Sequence, residues 1–140
     1  MPLDRDPGTP IWLLPVTVTA MHQTQLDEHG GLPGLRDEGA LLSALARPEN
    51  LHHYGGPTLP ELAAAYAAGI VQNHPFADGN KRTGFLCAFV FLYLNGYRLR
   101  APEAEAVVMT LGLAAGTVDE AGYARWLADG SEERGVEDGR

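Results

Sequence analysis

The segment Lys81–Leu94 constrains the fold more than any other part of the sequence, because apolar side chains occur on nearly all of its sides. Asn95 and Gly96 follow it, and glycine readily takes the left-handed conformation that ends a helix. A helix that is apolar all round must be covered by neighbouring elements. The pattern therefore predicts a buried central helix that is surrounded by other helices.

Capping patterns predict two of those neighbours. Thr58 and Glu61 have the spacing of a capping box and precede the alanine-rich stretch Leu62–Asn73. Thr117 and Glu120 repeat the spacing ahead of an apolar segment. Runs that alternate between apolar and polar residues, which would indicate strands, are nearly absent. The predicted class is therefore all-α.

Other local signals predict three further helices. Residues 16–29 are closed by Gly30-Gly31, and residues 103–115 form another helical segment. Asp37 is suited to cap a helix through residues 41–45 that Pro48 should end.

Composition indicates one ordinary globular domain. The chain has 140 residues, of which 45% are hydrophobic and 20% are charged. Its net charge of −8 lacks the basic excess that holds a nucleic-acid backbone, so we expect no direct nucleic-acid binding. A single cysteine, Cys87, excludes an internal disulfide.

The two ends of the chain differ from its middle. We expect a leader over residues 1–15, one domain over residues 16–128 and a disordered, polar tail over residues 129–140. The start lacks the pattern of a secretory signal, and no apolar stretch approaches the roughly 20 residues that a membrane span needs. These features predict a cytoplasmic protein with no membrane partner.

The loop between two of the predicted helices contains several side chains suited to catalysis or ligand binding. It contains the run His74-Pro75-Phe76-Ala77-Asp78-Gly79-Asn80-Lys81-Arg82-Thr83. If a helix begins near Asn80, its first turn presents unpaired N–H groups and the positive end of the helix dipole to an anion. Lys81 and Arg82 oppose that dipole, which favours a ligand of opposite charge. Residues 79–83 are therefore candidates for binding phosphate groups.

Two side chains of the loop complete a site for phosphoryl chemistry. Histidine, here His74, is the side chain best suited to accept a proton near neutral pH. Asp78 would repel a phosphate unless a cation intervened, and Mg²⁺ often binds to one carboxylate together with substrate phosphates. Each residue alone is typical of an ordinary turn, and only the combination indicates chemistry.

At these residues the chain resembles the Fic/Doc family. The run from His74 to Arg82 matches the Fic signature, His-Pro-Phe-x-Asp/Glu-Gly-Asn-x-Arg, at every fixed position. The resemblance extends over about residues 16–100. It implies a Fic/Doc-type helical bundle with a buried helix after the active-site loop and a short flap.

The resemblance also implies roles for individual residues. His74 would act as general base on a target hydroxyl, and Asp78 would hold Mg²⁺. Gly79, Asn80 and Arg82 would bind the phosphates of ATP, and we add Lys81 and Thr83 as candidates from their positions in the first turn of the helix.

The loop over residues 30–37 resembles the flap that positions the target in this family. Gly34, Leu35 and Arg36 are therefore candidate target-binding residues, although a salt bridge or plain exposure would explain Arg36 equally well. We predict no function for the other histidines, His22, His29, His52 and His53.

Two departures indicate the Doc (death-on-curing) branch. Lys81 stands where AMP-transferring members have glycine, and Phe85 stands where they have a second arginine. Doc-like members transfer the γ-phosphate of ATP to a threonine of elongation factor Tu and so arrest translation. The alternatives are an AMP transferase of the Fic type and a catalytically silent module that binds a partner.

The resemblance extends to control of the activity. The inhibitory motif of the family, Ser/Thr-x-x-x-Glu-Gly/Asn, is matched only in part, because His29 follows Thr24 and Glu28. A chain without this internal inhibitor is expected to depend on a separate, cognate antitoxin.

Overall fold

The computed structural model describes residues 8–135, and within this part it contains six helices and two short strands. The elements in chain order are α1 (Pro15–His29), α2 (Glu38–Tyr54), α3 (Leu59–Asn73), α4 (Asn80–Leu94), β1 (Tyr97–Leu99), α5 (Glu103–Ala115), α6 (Glu120–Gly130) and β2 (Ser131–Glu133). The predicted all-α class is confirmed. None of these helices combines the length and the apolar character that crossing a membrane requires.

Helix α3 is the centre of the core. Every residue in Leu62–Val71 is buried, and the helix packs against α2, α4 and α6. Its small alanine side chains allow those neighbours to approach closely. Gly69 lies against the backbone of Ala44 in α2, and Gly84 of α4 lies against Val71.

Helix α4, which the sequence pattern placed at the centre, is less deeply buried than α3. One face, including Phe91 and Leu92, is fully buried. Lys81 and Arg82 are exposed at its start, and Phe85 is half-buried. The apolar side chains of α4 thus serve both the core and, through Phe85 and Leu86, the wall of a cavity.

Two predicted helix boundaries were wrong. Helix α2 was predicted to end at Pro48, but it continues through this proline to Tyr54. A proline inside a helix removes one backbone hydrogen bond, but Pro48 is fully buried, and this packing offsets the loss. Its position in the core, rather than its backbone chemistry, decides the outcome.

The second wrong boundary is the capping box predicted at Thr117 and Glu120. Asp119 is the N-cap of α6, and its carboxylate accepts a hydrogen bond from Gly122 N at 2.7 Å. The Thr117 hydroxyl instead donates to Gly112 O at 3.4 Å. By contrast, the capping box of Thr58 and Glu61 is confirmed, and so is the Asp37 cap of α2.

Part of the predicted disordered tail is ordered. Strand β2 pairs antiparallel with β1, placing Ser131 opposite Leu99 and Glu133 opposite Tyr97. An ion pair between Arg100 and Glu132 adds to the backbone pairing. The paired residues are far apart in the sequence, so the local composition of the tail did not indicate the pairing. The rest of the tail prediction, over residues 136–140, lies outside the described residues.

The end of the predicted leader is also ordered. Leu13 is buried, and its N–H donates to the Tyr66 hydroxyl at 3.0 Å. The Asn95 side chain accepts from Ile11 N at 2.7 Å and donates to Ile11 O at 3.0 Å. These bonds attach the segment before α1 to α3 and to the end of α4. The leader prediction for residues 1–7 lies outside the described residues.

Close packing of α3 on α4 predicts the effect of adding one methyl group. A Cβ at Gly84 would lie 2.9 Å from Val71 Cγ2 and 3.2 Å from Ala67 O. Helix propensity alone favours alanine by about 1 kcal/mol. We expect Gly84→Ala instead to lower the free energy of unfolding by about 1–3 kcal/mol, the usual cost of overpacking. Urea denaturation measures the difference, and an unchanged or raised midpoint would contradict this account of the helix contact.

Candidate active site

The loop between α3 and α4 is closed by the side chain of Asn80. Its Oδ1 accepts from Phe76 N, and its Nδ2 donates to Phe76 O, each at 3.0 Å. Phe76 itself is buried in the core. The two hydrogen bonds occupy both polar ends of the amide, so the role that the structure gives Asn80 is to hold the loop.

His22 of α1 packs against the loop. The ring is buried and stacks on Phe76, with ring centroids 3.9 Å apart and an angle of 8° between the planes. Its Nε2 lies 2.7 Å from Asp78 O. Because a carbonyl only accepts, Nε2 must carry the hydrogen and donate it. No role for His22 was predicted from the sequence, although Val18, His22 and Leu26 have the spacing of one buried helix face.

His74 is the C-cap of α3 and has a left-handed backbone, with φ 49° and ψ 56°. Within residues 8–135, no other residue except glycine has a positive φ. The side chain is exposed. The chain changes direction sharply at this residue, and the imidazole is exposed to solvent.

Asp78 is held as a carboxylate by backbone groups on two sides. Leu32 N donates to its Oδ2 at 3.2 Å, and Gly79 N donates to its Oδ1 at 2.9 Å. These two hydrogen bonds, together with the nearby charge of Arg82, lower the pKa of Asp78 below its ordinary value. Gly31 has φ 129°, a conformation that favours glycine, and a Cβ there would lie 2.9 Å from Oδ2.

A cavity of about 550 Å³ lies beside the start of α4, which is within the usual size range of small-molecule sites. Asp78, Gly79, Asn80, Lys81 and Arg82 line its polar end. Side chains from α1, α4 and α5 form the remaining wall, among them Gln25, His29, Phe85, Leu86, Glu103, Val107 and Leu111. The contribution of α5 was not predictable from the sequence, since it depends on how helices pack.

The structure separates the predicted site residues into two groups. Residues 78–82 line the cavity, whereas His74 does not and lies at the other end of the loop. Thr83, predicted to bind nucleotide, is fully buried, and its N–H donates to Gly79 O at 3.0 Å. Thr83 has no exposed surface and does not line the cavity.

The predicted flap is paired with the loop. Leu35 and Phe76 form an antiparallel β-bridge, and Ala77 N donates to Gly34 O at 3.0 Å. The Leu35 side chain is exposed. The Arg36 side chain turns back to the loop, where it donates to two backbone carbonyls at the end of α3.

Comparison with known proteins places these features in a family. The sequence matches the family model described as Fic/DOC over residues 12–92, which is more than half of the chain. The chain belongs to the Fic/Doc family. The family predicted from the loop is therefore confirmed.

Two Doc proteins are similar to this Fic/Doc chain. The protein kinase doc of Escherichia phage P1 is 32% identical over 114 residues, covering 81% of this chain and 90% of that protein. The toxin Doc of Mycolicibacterium smegmatis is 43% identical over 75 residues, covering 51% of this chain and 57% of that toxin.

The contacts of His22 predict that it stabilises the loop. In His22→Ala, Asp78 O loses its donor and Phe76 loses its stacking partner, so we expect a loss of about 1–3 kcal/mol in the free energy of unfolding. His53→Ala, which removes an exposed imidazole, should change it by less than about 0.5 kcal/mol. Thermal unfolding of both variants tests the difference, and equal stability of the two would contradict the supporting role of His22.

Proposed function

We propose that this protein is a Doc-type toxin, a protein kinase that transfers the γ-phosphate of ATP to a threonine hydroxyl of elongation factor Tu. The observation that carries the proposal is the cavity at the start of α4, where an ionised Asp78 adjoins Lys81 and Arg82. A phage protein similar over most of its length is named a protein kinase, and a second relative is named a toxin.

The start of α4 suits the phosphates of a nucleotide. The first N–H groups of a helix have no partner within it, and the dipole is positive at this end. No acidic residue lies in the first turn of α4. Lys81 and Arg82 are exposed and line the cavity. Arg82 suits bidentate contact with phosphate oxygens, and Lys81 adds a point charge.

The donor set fits Mg²⁺ bound together with a nucleotide. Within the described residues, no cluster of three or more histidine, cysteine, aspartate or glutamate side chains could hold a metal ion. Mg²⁺ commonly takes one carboxylate and completes its shell with phosphate oxygens and water. The exposed, ionised carboxylate of Asp78 would hold the ion, which would neutralise charge on the transferring phosphate.

In the proposed mechanism His74 is the general base. Its exposed imidazole would accept the proton of the threonine hydroxyl as that oxygen bonds to the γ-phosphorus. The bond between the γ-phosphorus and the β–γ bridging oxygen then breaks, and ADP leaves. Phosphoryl transfer needs mainly positioning and charge neutralisation, which residues 78–82 would supply.

The side chains at positions 81 and 85 favour phosphate transfer over AMP transfer. Both line the cavity. Phe85 is half-buried and packs near Phe89 and Trp126, so this part of the wall is apolar. It provides no cation for the distal phosphates of an ATP molecule bound in the AMP-transfer pose.

The proposal includes a cognate antitoxin as partner, because the inhibitory motif of the family is only partly matched. Exposed apolar side chains of α5, including Val107 and Leu111, border the cavity and offer such a partner a contact surface. Action on elongation factor Tu would take place in the cytoplasm.

The reaction is tested with ATP labelled at either the α or the γ position. We expect label from the γ position, and none from the α position, to appear on elongation factor Tu when the two proteins are incubated with Mg²⁺. Mass spectrometry should locate one added phosphate on a threonine. Omitting Mg²⁺ should abolish the transfer.

An added AMP, detected by the α label, would replace the kinase assignment with AMP transfer. No transfer of either label, in a sample that does bind ATP, would favour a module that only binds a partner. Lys81→Gly should reduce γ-phosphate transfer if the lysine helps to set the pose of ATP.

Because the backbone of His74 is left-handed, replacing this residue with glycine should change catalytic activity and stability in different directions. We expect His74→Gly to reduce phosphate transfer by about 10²- to 10⁴-fold, the usual contribution of a general base. Its stability should equal or exceed that of the wild type, since a side chain in this conformation costs roughly 1–2 kcal/mol. Kinetic assays and thermal unfolding measure the two effects.

Gln72→Gly is the matched control, because it changes an exposed residue two positions earlier in α3. It should keep its transfer activity and lose about 0.5–1 kcal/mol of stability. A folded His74→Gly protein with wild-type transfer rates would remove His74 from the mechanism.

A further inference from the structure

The end of α3 is an unfavourable place for the backbone that carries His74. Helices usually end on a glycine at the left-handed position, but here the residue is histidine. Pro75 follows, and a residue before proline is biased towards extended conformations. The last turn of α3 has no basic residue to interact with the negative end of the helix dipole. The conformation of His74 therefore needs support from outside the helix.

Arg36 supplies that support from the flap. Its Nε donates to His74 O at 2.6 Å, and one terminal nitrogen, Nη2, donates to Asn73 O at 2.9 Å. These charge-assisted bonds also place a cation at the end of α3 that lacks one.

The two carbonyls that accept these bonds belong to the peptide groups on either side of the His74 Cα. The relative orientation of these peptide groups is set by φ and ψ of His74. The guanidinium is planar and rigid, so binding both oxygens with one fork restrains both angles. Pro75 O, the next carbonyl, accepts from Arg36 N at 2.7 Å and from Asp37 N at 3.0 Å.

We propose that Arg36 is a positioning residue that holds His74 in the left-handed conformation from which its imidazole acts. The part of this inference that concerns catalysis rests on the proposed function, whereas the part that concerns conformation does not. From the sequence alone, Arg36 is a candidate target-binding residue of the flap. The structure directs its guanidinium to the backbone of the loop instead.

The contacts of Arg36 are separate from those that hold the nucleotide side of the site. Asp78 is fixed by Leu32, Gly79 and His22, and the start of α4 is fixed by Asn80 and Phe76. None of these bonds involves the Arg36 side chain. Loss of the guanidinium should therefore affect proton removal by His74 more than the binding of ATP.

The kinetic test uses Arg36→Ala in the full chain, with ATP, Mg²⁺ and elongation factor Tu. We expect turnover to fall about 10- to 100-fold, as displacement of a catalytic group by about 1 Å typically does. The dissociation constant for ATP should change by less than about threefold. Guanidinium ion at millimolar concentration should restore part of the turnover of Arg36→Ala and none of that of His74→Gly.

Arg47→Ala is the matched control, because Arg47 also donates to a backbone carbonyl of α3, Ala65 O, but lies outside the site. It should leave turnover of the folded protein unchanged. If Arg36→Ala does not fold, Arg36→Lys replaces it, with a smaller loss of turnover because the ammonium keeps the charge without the fork.

A spectroscopic test does not depend on activity. NMR of protein labelled with ¹³C and ¹⁵N at histidine reports the backbone angles of His74 through its ¹³Cα and carbonyl shifts. We expect these shifts to leave the left-handed range in Arg36→Ala and to stay within it in Arg47→Ala. If the wild type transfers no phosphate, the proposed function fails, and these shifts still decide the conformational role of Arg36.

Two results would overturn the inference. One is an Arg36→Ala protein in which turnover and the His74 shifts match the wild type. The other is a raised KM for elongation factor Tu with unchanged kcat and unchanged His74 shifts, which would make Arg36 a target-binding residue.

Discussion

The two hydrogen bonds between the Asn80 side chain and the backbone of Phe76 are the interaction on which the site depends. They close the loop between two helices that pack directly against each other, and they direct Phe76 into the core. With Phe76 fixed, Asp78 and Gly79 come to lie at the start of α4. A buried amide satisfied in this way is costly to disturb, because either backbone group would be left without a partner.

The two halves of the loop are held by different parts of the fold. His22 of α1 stacks on Phe76 and donates to Asp78 O, which supports the half that borders the cavity. Arg36 of the flap donates to the carbonyls of Asn73 and His74, which supports the half that carries the imidazole. The imidazole and the cavity therefore have separate supports, and each support comes from a segment distant in the sequence. In the proposed mechanism, this division would allow nucleotide binding and proton removal to be changed independently.

The sequence predictions were correct where the interacting residues are close in the sequence, and they failed where the partners are far apart. The cap at Asp37 and the capping box at Thr58 were predictable because both partners lie within one helical turn. The helix end at Pro48 and the first part of the tail were mispredicted, because burial in the core and pairing with β1 involve residues far away in the chain. The burial of Thr83 was not predictable for a related reason, since the side of α4 that faces the core depends on how α3 packs against it.

The sequence by itself determined the helical class, the order of chemical groups from His74 to Arg82 and the family to which they belong, because spacing along one loop and one helix start is a local property. Only the tertiary structure decided which of those groups share a cavity and which residues support them. The cavity wall from α5, the stacking of His22 and the inward turn of Arg36 arise where separate helices and the flap meet. Contacts of this kind depend on packing between distant segments, and no short pattern in the chain encodes them.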